Sequence, residues 1–88
     1  MKMSKFEILT SAMDRIGFSK VDSRSTKFDV YVGDTKKLYE SSIVEERFVF
    51  ISKSGRSVRV GKSKNVTDLN IPLFEKTKAR LVRIGEAK

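Results

Sequence analysis

A chain of 88 residues with a net charge of +8 is long enough for one small domain with a modest hydrophobic core. Leu, Ile, Val and Phe account for 26 of the 88 residues, more than a disordered chain of this charge normally carries. The absence of cysteine and histidine excludes disulfides, thiolate chemistry and the commonest metal ligand. The sequence has no apolar run of membrane-spanning length and no signal-peptide block at its N-terminus. We therefore expect a cytoplasmic, non-catalytic protein without a membrane span, cofactor or metal.

The first segment predicts a helix over residues 5–16. Ser4 and Glu7 have the spacing of a capping box. Gly17 follows where a left-handed C-terminal cap is expected, and Phe18 can supply its apolar contact. Apolar residues recur at helical steps along one face, which we interpret as core packing: Phe6, Ile8, Leu9, Ala12, Met13 and Ile16.

The next segment predicts a strand followed by an ambiguous return. Residues 27–32 alternate apolar and polar side chains with the period of a half-buried strand. Gly33 and Asp34 can turn the chain. Residues 36–41 are then either a returning strand or part of a helical turn that starts at Asp34.

Residues 47–61 predict a β-hairpin, because two apolar segments flank a short loop that ends in Gly55. The length of the turn decides which side chains share a face. A three-residue turn pairs Ser52 with Arg56 and collects four apolar side chains on one face: Phe48, Phe50, Val58 and Val60. A two-residue turn shifts the register by one residue and places Arg59 opposite the phenylalanines. We expect the three-residue turn, with Phe28 and Val30 completing the apolar face.

The C-terminal segment predicts a helix over residues 72–84. Its apolar residues fall within about 100° on a helical wheel, Pro72 suits the first turn, and Gly85 is expected to end the helix. A strand over residues 78–84 is the alternative. The predicted fold is therefore α+β in a single domain of residues 1–88. An N-terminal helix, a three- or four-stranded antiparallel meander and a C-terminal helix on the same sheet face make up this domain. We expect the two helices to cover the apolar face formed by Phe28, Val30, Phe48, Phe50, Val58 and Val60.

Two patterns that suggest catalysis are weak. Residues 55–63 look like a phosphate-binding loop, but five residues separate Gly55 from Gly61 where that loop has four, and the segment alternates like a strand. Glu45 and Glu46 lie in a segment without any other acid–base signal, so we interpret them as solvated surface. The sequence therefore offers no catalytic site.

The positive charge is concentrated in the last 37 residues. Residues 1–51 carry nine Lys and Arg against eight Asp and Glu, whereas residues 52–88 carry ten against three. A field of one sign costs self-repulsion, and it is commonly retained where a polyanion or an acidic partner relieves it. We expect nucleic-acid contacts from the hairpin and the last helix, mainly to phosphates: Lys53, Arg56, Arg59, Lys62, Lys64, Lys78, Arg80 and Arg83. Tyr31 and Tyr39 are candidate stacking residues, although a tyrosine on a strand face is more often a packing residue.

The order of helix, strands and helix also resembles the double-stranded-RNA-binding domain, as does the lysine-containing run at residues 61–65. In that family a Lys-rich motif opens the second helix and grips phosphates across the major groove. This sequence departs from the family because further residues separate the run from Pro72 and the last helix is not Ala-rich. The resemblance covers element order and about five residues, and a shared fold does not by itself imply a shared function.

The alternative function is a protein-interaction module that docks its basic face on an acidic partner protein. An inhibitor encoded by a phage or a mobile element is one example of such a module. Nucleic-acid binding should weaken log-linearly with salt, whereas a docking module needs apolar anchors and survives moderate salt.

Overall fold

The computed structural model of this chain describes residues 3–23, 25–38, 45–63 and 75–87. The helices and strands within these ranges are α1 (Lys5–Arg15), β1 (Ser19–Val21), β2 (Phe28–Asp34), α2 (Thr35–Leu38), β3 (Glu46–Ser52), β4 (Val58–Gly61) and α3 (Glu75–Glu86). The strands form one antiparallel sheet in the order β1-β2-β3-β4. Helices α1 and α3 pack against each other and against the sheet. The predicted α+β fold, with both terminal helices on one sheet face, is confirmed.

Helix α1 has the predicted capping residues at both ends. Its last helical residue is Arg15, one residue before the expected end. The Ser4 hydroxyl accepts from the Glu7 amide and the Glu7 carboxylate accepts from the Ser4 amide, both at 3.1 Å. The capping box is therefore formed. Gly17 has φ +82°, and the Phe18 amide donates to the Met13 carbonyl at 2.9 Å. This is the bond pattern of a Schellman motif, so the predicted glycine cap is confirmed.

Two short elements surround β2. Strand β1 has three residues, too few for an alternating pattern to be recognised, and it pairs with β2 through Ser19 and Val32. Helix α2 follows β2, and the Lys36 amide donates to the Asp34 carboxylate at 2.9 Å in its first turn. Of the two alternatives for this segment, the helical turn is confirmed as far as Leu38. Residues 39–41 of the predicted segment lie outside the described residues.

The hairpin adopts the register that we did not expect. Strands β3 and β4 pair Phe50 with Arg59, which is the register of the two-residue alternative. The predicted pair of Ser52 and Arg56 does not form, because the Ser52 amide donates to the Ser57 carbonyl at 3.1 Å. The expected register is therefore wrong by one residue.

A serine side chain closes the turn between these strands. The Ser52 hydroxyl accepts from the backbone amides of Arg56 and Ser57, both at 3.0 Å. The Ser52 carbonyl accepts from the Gly55 amide at 2.8 Å. The turn between Ser52 and Ser57 therefore has four residues, 53–56. The bonds to Ser52 give partners to turn amides that the pairing of the two strands leaves without one.

This register gives the sheet two apolar faces. The face beneath α1 and α3 carries buried side chains from three strands: Tyr31, Val49, Ile51, Val58 and Val60. On the opposite face Val30 and Phe50 are fully buried, and the ring of Phe28 meets that of Phe50 edge-on at 6.4 Å. The prediction that the helices cover Phe28, Val30, Phe48 and Phe50 is therefore wrong, although the two valines of β4 do lie beneath them.

Helix α3 contacts α1 through a glycine. Gly85 is buried inside α3, on the same face as Thr77 and Leu81. A Cβ on Gly85 would lie 2.0 Å from the Ile8 carbonyl oxygen, so a glycine is required for this close approach. The prediction that Gly85 ends the helix is wrong, because its local signal as a helix stop is overridden by a tertiary contact.

Helix α1 also caps the C-terminus of α3. The Arg15 guanidinium donates to the Ile84 carbonyl at 2.8 Å and to the Ala87 carbonyl. The last carbonyls of a helix lack partners and carry the negative end of its dipole, so a cation there is stabilising. Residues 72–74 of the predicted helix lie outside the described residues, but from Glu75 onward the helix, and not the alternative strand, is confirmed. Within the described ranges, no helix is both long and apolar enough to cross a bilayer.

The substitution Gly85→Ala tests the helix contact because packing and helix propensity predict opposite signs. Propensity alone favours alanine by about 1 kcal/mol, but the new methyl group would overlap the Ile8 carbonyl. We expect the free energy of unfolding to fall by about 2 kcal/mol or more. Glu86→Ala introduces the same residue at the adjacent exposed position and should change stability by less than about 0.5 kcal/mol. Urea unfolding of both variants provides the comparison, and a stabilised Gly85→Ala protein would contradict the described helix contact.

Candidate nucleic-acid interface

Five cations from four separate segments meet at the hairpin turn. The turn itself supplies Lys53 and Arg56, and its neighbours are Lys5 in α1, Lys27 just before β2 and Lys78 in α3. The Lys53 amide donates to the Lys27 carbonyl at 3.0 Å. The Lys78 ammonium donates to the Arg56 carbonyl at 2.8 Å. We call these five residues the turn cluster.

Gly55 sets the hairpin turn directly against the first turn of α1. It has φ +73° and is buried. A Cβ there would lie 2.5 Å from the Phe6 amide nitrogen and 2.6 Å from the Lys5 Cβ. Both the left-handed conformation and the close approach therefore require glycine. This contact is what brings Lys5 beside the cations of the turn.

The turn cluster is not neutralised by ion pairs within the described part of the chain. The ion pairs found there join Lys20 to Asp29 at 3.3 Å and Arg47 to Glu45, and neither involves the cluster. Four of its members are exposed, and Lys78 is half-buried. Acids do occur in the first turns of α1 and α3, at Glu7 and Glu75, and Glu7 is engaged in its capping box. The cluster therefore carries an excess of positive charge on an accessible surface.

Two members of the turn cluster, Lys5 and Lys27, are not in the predicted set. Both lie in the N-terminal half, where Lys and Arg nearly balance Asp and Glu, so a charge count along the chain does not single them out. They reach the turn only because α1 and the start of β2 pack beside it. No local pattern in the sequence carries that information.

Three of the remaining predicted residues, Arg59, Lys62 and Arg80, lie away from the turn cluster. Arg59 is half-buried in β4, on the sheet face opposite the helices. Lys62 is exposed just beyond β4, at the far end of the hairpin. Arg80 lies about 160° around α3 from Lys78, given 100° per residue. Arg83 lies further along α3 and lines an open groove together with Lys78. Lys64 lies outside the described residues. The structure thus brings Lys53, Arg56 and Lys78 together at the turn, whereas Arg59, Lys62 and Arg80 lie apart from it.

Tyr31 is a core residue, so its interpretation as a stacking residue is wrong. Its side chain packs in the cluster beneath the helices, and the residue is 5% exposed. Burial, and then the nearby carboxylate of Asp29, raise the pKa of Tyr31 to about 12. Tyr39 lies outside the described residues.

The sequence that looks like a phosphate-binding loop does not have that structure. Val58–Gly61 is strand β4, as its alternation predicts. Lys62 and Ser63 form a bend after the strand, whereas both that loop and the lysine motif of the double-stranded-RNA-binding domain open a helix. In the described ranges, no group of three or more Asp, Glu, His or Cys side chains is placed to hold a metal ion.

Comparisons of this chain with protein-family models, curated proteins and solved structures find no match. Its function is therefore argued from its own residues. The feature with a chemical consequence is the turn cluster, because phosphates and carboxylates are the groups that such a concentration of cations attracts.

The substitution Gly55→Val tests how the turn is seated. Valine is strained at a positive φ and its side chain would overlap the first turn of α1. We expect a loss of about 3 kcal/mol or more in the free energy of unfolding. Ser54→Val places the same side chain at the adjacent exposed position and should cost about 1 kcal/mol at most. Equal urea midpoints for the two variants would show that the turn is wrongly placed.

The raised pKa of Tyr31 predicts a loss of stability in alkali. The folded protein holds the phenol proton up to about pH 12, whereas the unfolded chain releases it near the ordinary tyrosine pKa of 10.0. The stability linked to this proton is therefore present below pH 10 and is lost as the pH rises from 10 towards 12. Tyr31→Phe should unfold with a shallower pH dependence across this interval. Identical pH profiles for the two proteins would contradict the burial of the phenol.

Proposed function

We propose that this protein binds nucleic acid without catalysis, through contacts between the exposed residues of the turn cluster and the phosphate backbone. The observation that carries the proposal is the convergence of five cations, from four separate segments, around one hairpin turn. Concentrating like charges opposes folding unless a partner of opposite charge relieves the repulsion. A nucleic-acid backbone supplies such a partner at regular spacing.

The chemistry of the contact follows from the exposed members of the cluster. Lys5, Lys27 and Lys53 are compact positive charges, whereas the Arg56 guanidinium can donate two parallel hydrogen bonds to one phosphate. Each neutralised phosphate releases condensed counterions, so four contacts on duplex DNA correspond to a slope of log K against log salt of about −3.6. Phosphate contacts carry no direct sequence information, so the binding is non-specific and suits an accessory or regulatory role.

An acidic partner protein is the alternative, and the surface supports it less well. Stable protein interfaces rely on a few buried apolar or aromatic anchors. Among the described residues, the exposed large apolar side chain is Met3, at 45%, and the turn cluster itself consists of Lys and Arg. The excess of charge over exposed apolar surface favours a nucleic-acid backbone.

Removing two charges from the turn tests this proposal, with a matched control at the other end of the sheet. The double variant Lys53→Gln, Arg56→Gln should lower the magnitude of the salt slope by about two, because each cation contacts one phosphate. The control is Lys36→Gln, Lys37→Gln on α2. These lysines are also exposed, but they follow the end of β2 that lies about 20 Å from the turn. Fluorescence anisotropy with a duplex oligonucleotide at four salt concentrations gives the slopes.

The two variants have equal net charge, so their comparison separates a local contact from a general effect of charge. The proposal predicts a wild-type slope for the α2 variant and a reduced slope for the turn variant. Equal slopes would show that the turn cluster is not the contact. Binding that is insensitive to salt would favour the protein-docking alternative.

A further inference from the structure

We infer that Lys78 is a positioning residue, which holds the hairpin turn for phosphate binding and makes no phosphate contact of its own. This inference rests on the proposed function of the turn cluster. Lys78 differs from the other members in its surroundings. It is half-buried where they are exposed, and its ammonium donates to the Arg56 carbonyl at 2.8 Å.

This hydrogen bond acts on Arg56, the last residue of the turn, which lies two residues before β4. The Arg56 amide donates to the Ser52 hydroxyl at 3.0 Å, and the Arg56 carbonyl accepts from Lys78. Both backbone polar groups of Arg56 are therefore fixed, one by the hairpin and one by α3. Fixing the backbone restricts the directions in which the guanidinium can point. A side chain that is already oriented loses less conformational entropy when it binds a phosphate.

Helices α1 and α3 hold the turn by two different kinds of contact. Helix α1 packs against Gly55 through backbone contact, and α3 reaches Arg56 through the long side chain of Lys78. The Lys78 ammonium is directed at the turn carbonyl. Lys78 also lines an open groove on α3, with Glu75, Ala79, Val82 and Arg83. An ammonium held in this way orders the phosphate-binding residues and does not itself contact a phosphate.

Salt dependence distinguishes a positioning residue from a contact. Each lysine or arginine that neutralises a phosphate contributes about one to the magnitude of the slope. A residue that only orders the turn changes affinity by a similar factor at every salt concentration. Lys78→Met keeps most of the apolar stem but removes the hydrogen bond, whereas Lys78→Arg keeps a donor and the charge.

The experiment measures duplex binding by the full chain at four salt concentrations. We expect Lys78→Met to weaken binding by about threefold to tenfold at each concentration, because an ordered side chain becomes mobile, with the slope unchanged within about 0.3. Lys78→Arg should bind with the affinity of the wild type, because it keeps a donor and the charge. Arg56→Gln is the contact reference and should lower the slope by about one. Lys76→Met, an exposed lysine of the same helix, is the matched control and should bind like the wild type.

A second measurement tests the same inference without nucleic acid. The amides of Arg56 and Ser57 should exchange faster with solvent in Lys78→Met than in the wild type, because the turn has lost its tether to α3. Lys78→Gln replaces Lys78→Met if the latter does not fold.

The outcomes separate the inference from the proposed function. A slope reduced by about one in Lys78→Met would make Lys78 a phosphate contact, overturning the inference while the proposed function stands. Unchanged affinity and unchanged exchange would overturn it as well. If the wild-type protein shows no salt-dependent binding, the proposed function fails and this inference fails with it.

Discussion

The contact between the hairpin turn and the first turn of α1 is the constraint on which the rest of the structure depends. Gly55 sits where any side chain would overlap the backbone of α1. This close approach seats the hairpin under the helix, so that Ile51 and Val58 enter the core. It also places Lys5 beside the cations of the turn. One glycine therefore links the packing of the domain to the charge on its surface.

The same end of the molecule gathers like charges while stabilising interactions hold it together. The turn is closed by the Ser52 hydroxyl, attached to α3 by Lys78 and packed on α1 through Gly55. None of these interactions removes the positive charge of the exposed residues. A rigid, charged surface suits a partner that is itself a regular array of anions, because little conformational entropy remains to be lost on binding. The contacts and the charge of this end are both consistent with the proposed partner, a phosphate backbone.

Features set by neighbouring residues in the sequence could be predicted, and features set by distant contacts could not. The caps of α1 and the position of the hairpin follow from local patterns. The hairpin register did not, because the run from Phe48 to Ile51 is apolar at every position and so has no polar side to exclude the alternative pairing. A glycine near the end of a helical pattern is compatible both with a helix stop and with a close helix contact, so the local sequence does not distinguish the two roles of Gly85. Lys27 joins the candidate site only through its pairing with the turn.

A map of amide chemical shifts would show directly whether the turn cluster contacts phosphates. The map is recorded during titration with a duplex oligonucleotide at about 50 mM salt, where phosphate contacts are strong. We expect the largest changes in three regions: the first turn of α1, the residues around Lys27, and residues 53–57. We expect the strand residues around Arg59 to change less. We also expect the signals of α2, at the other end of the sheet, to remain unchanged. Changes centred on α2 or on the strand residues around Arg59, with the turn unaffected, would contradict the proposed contact.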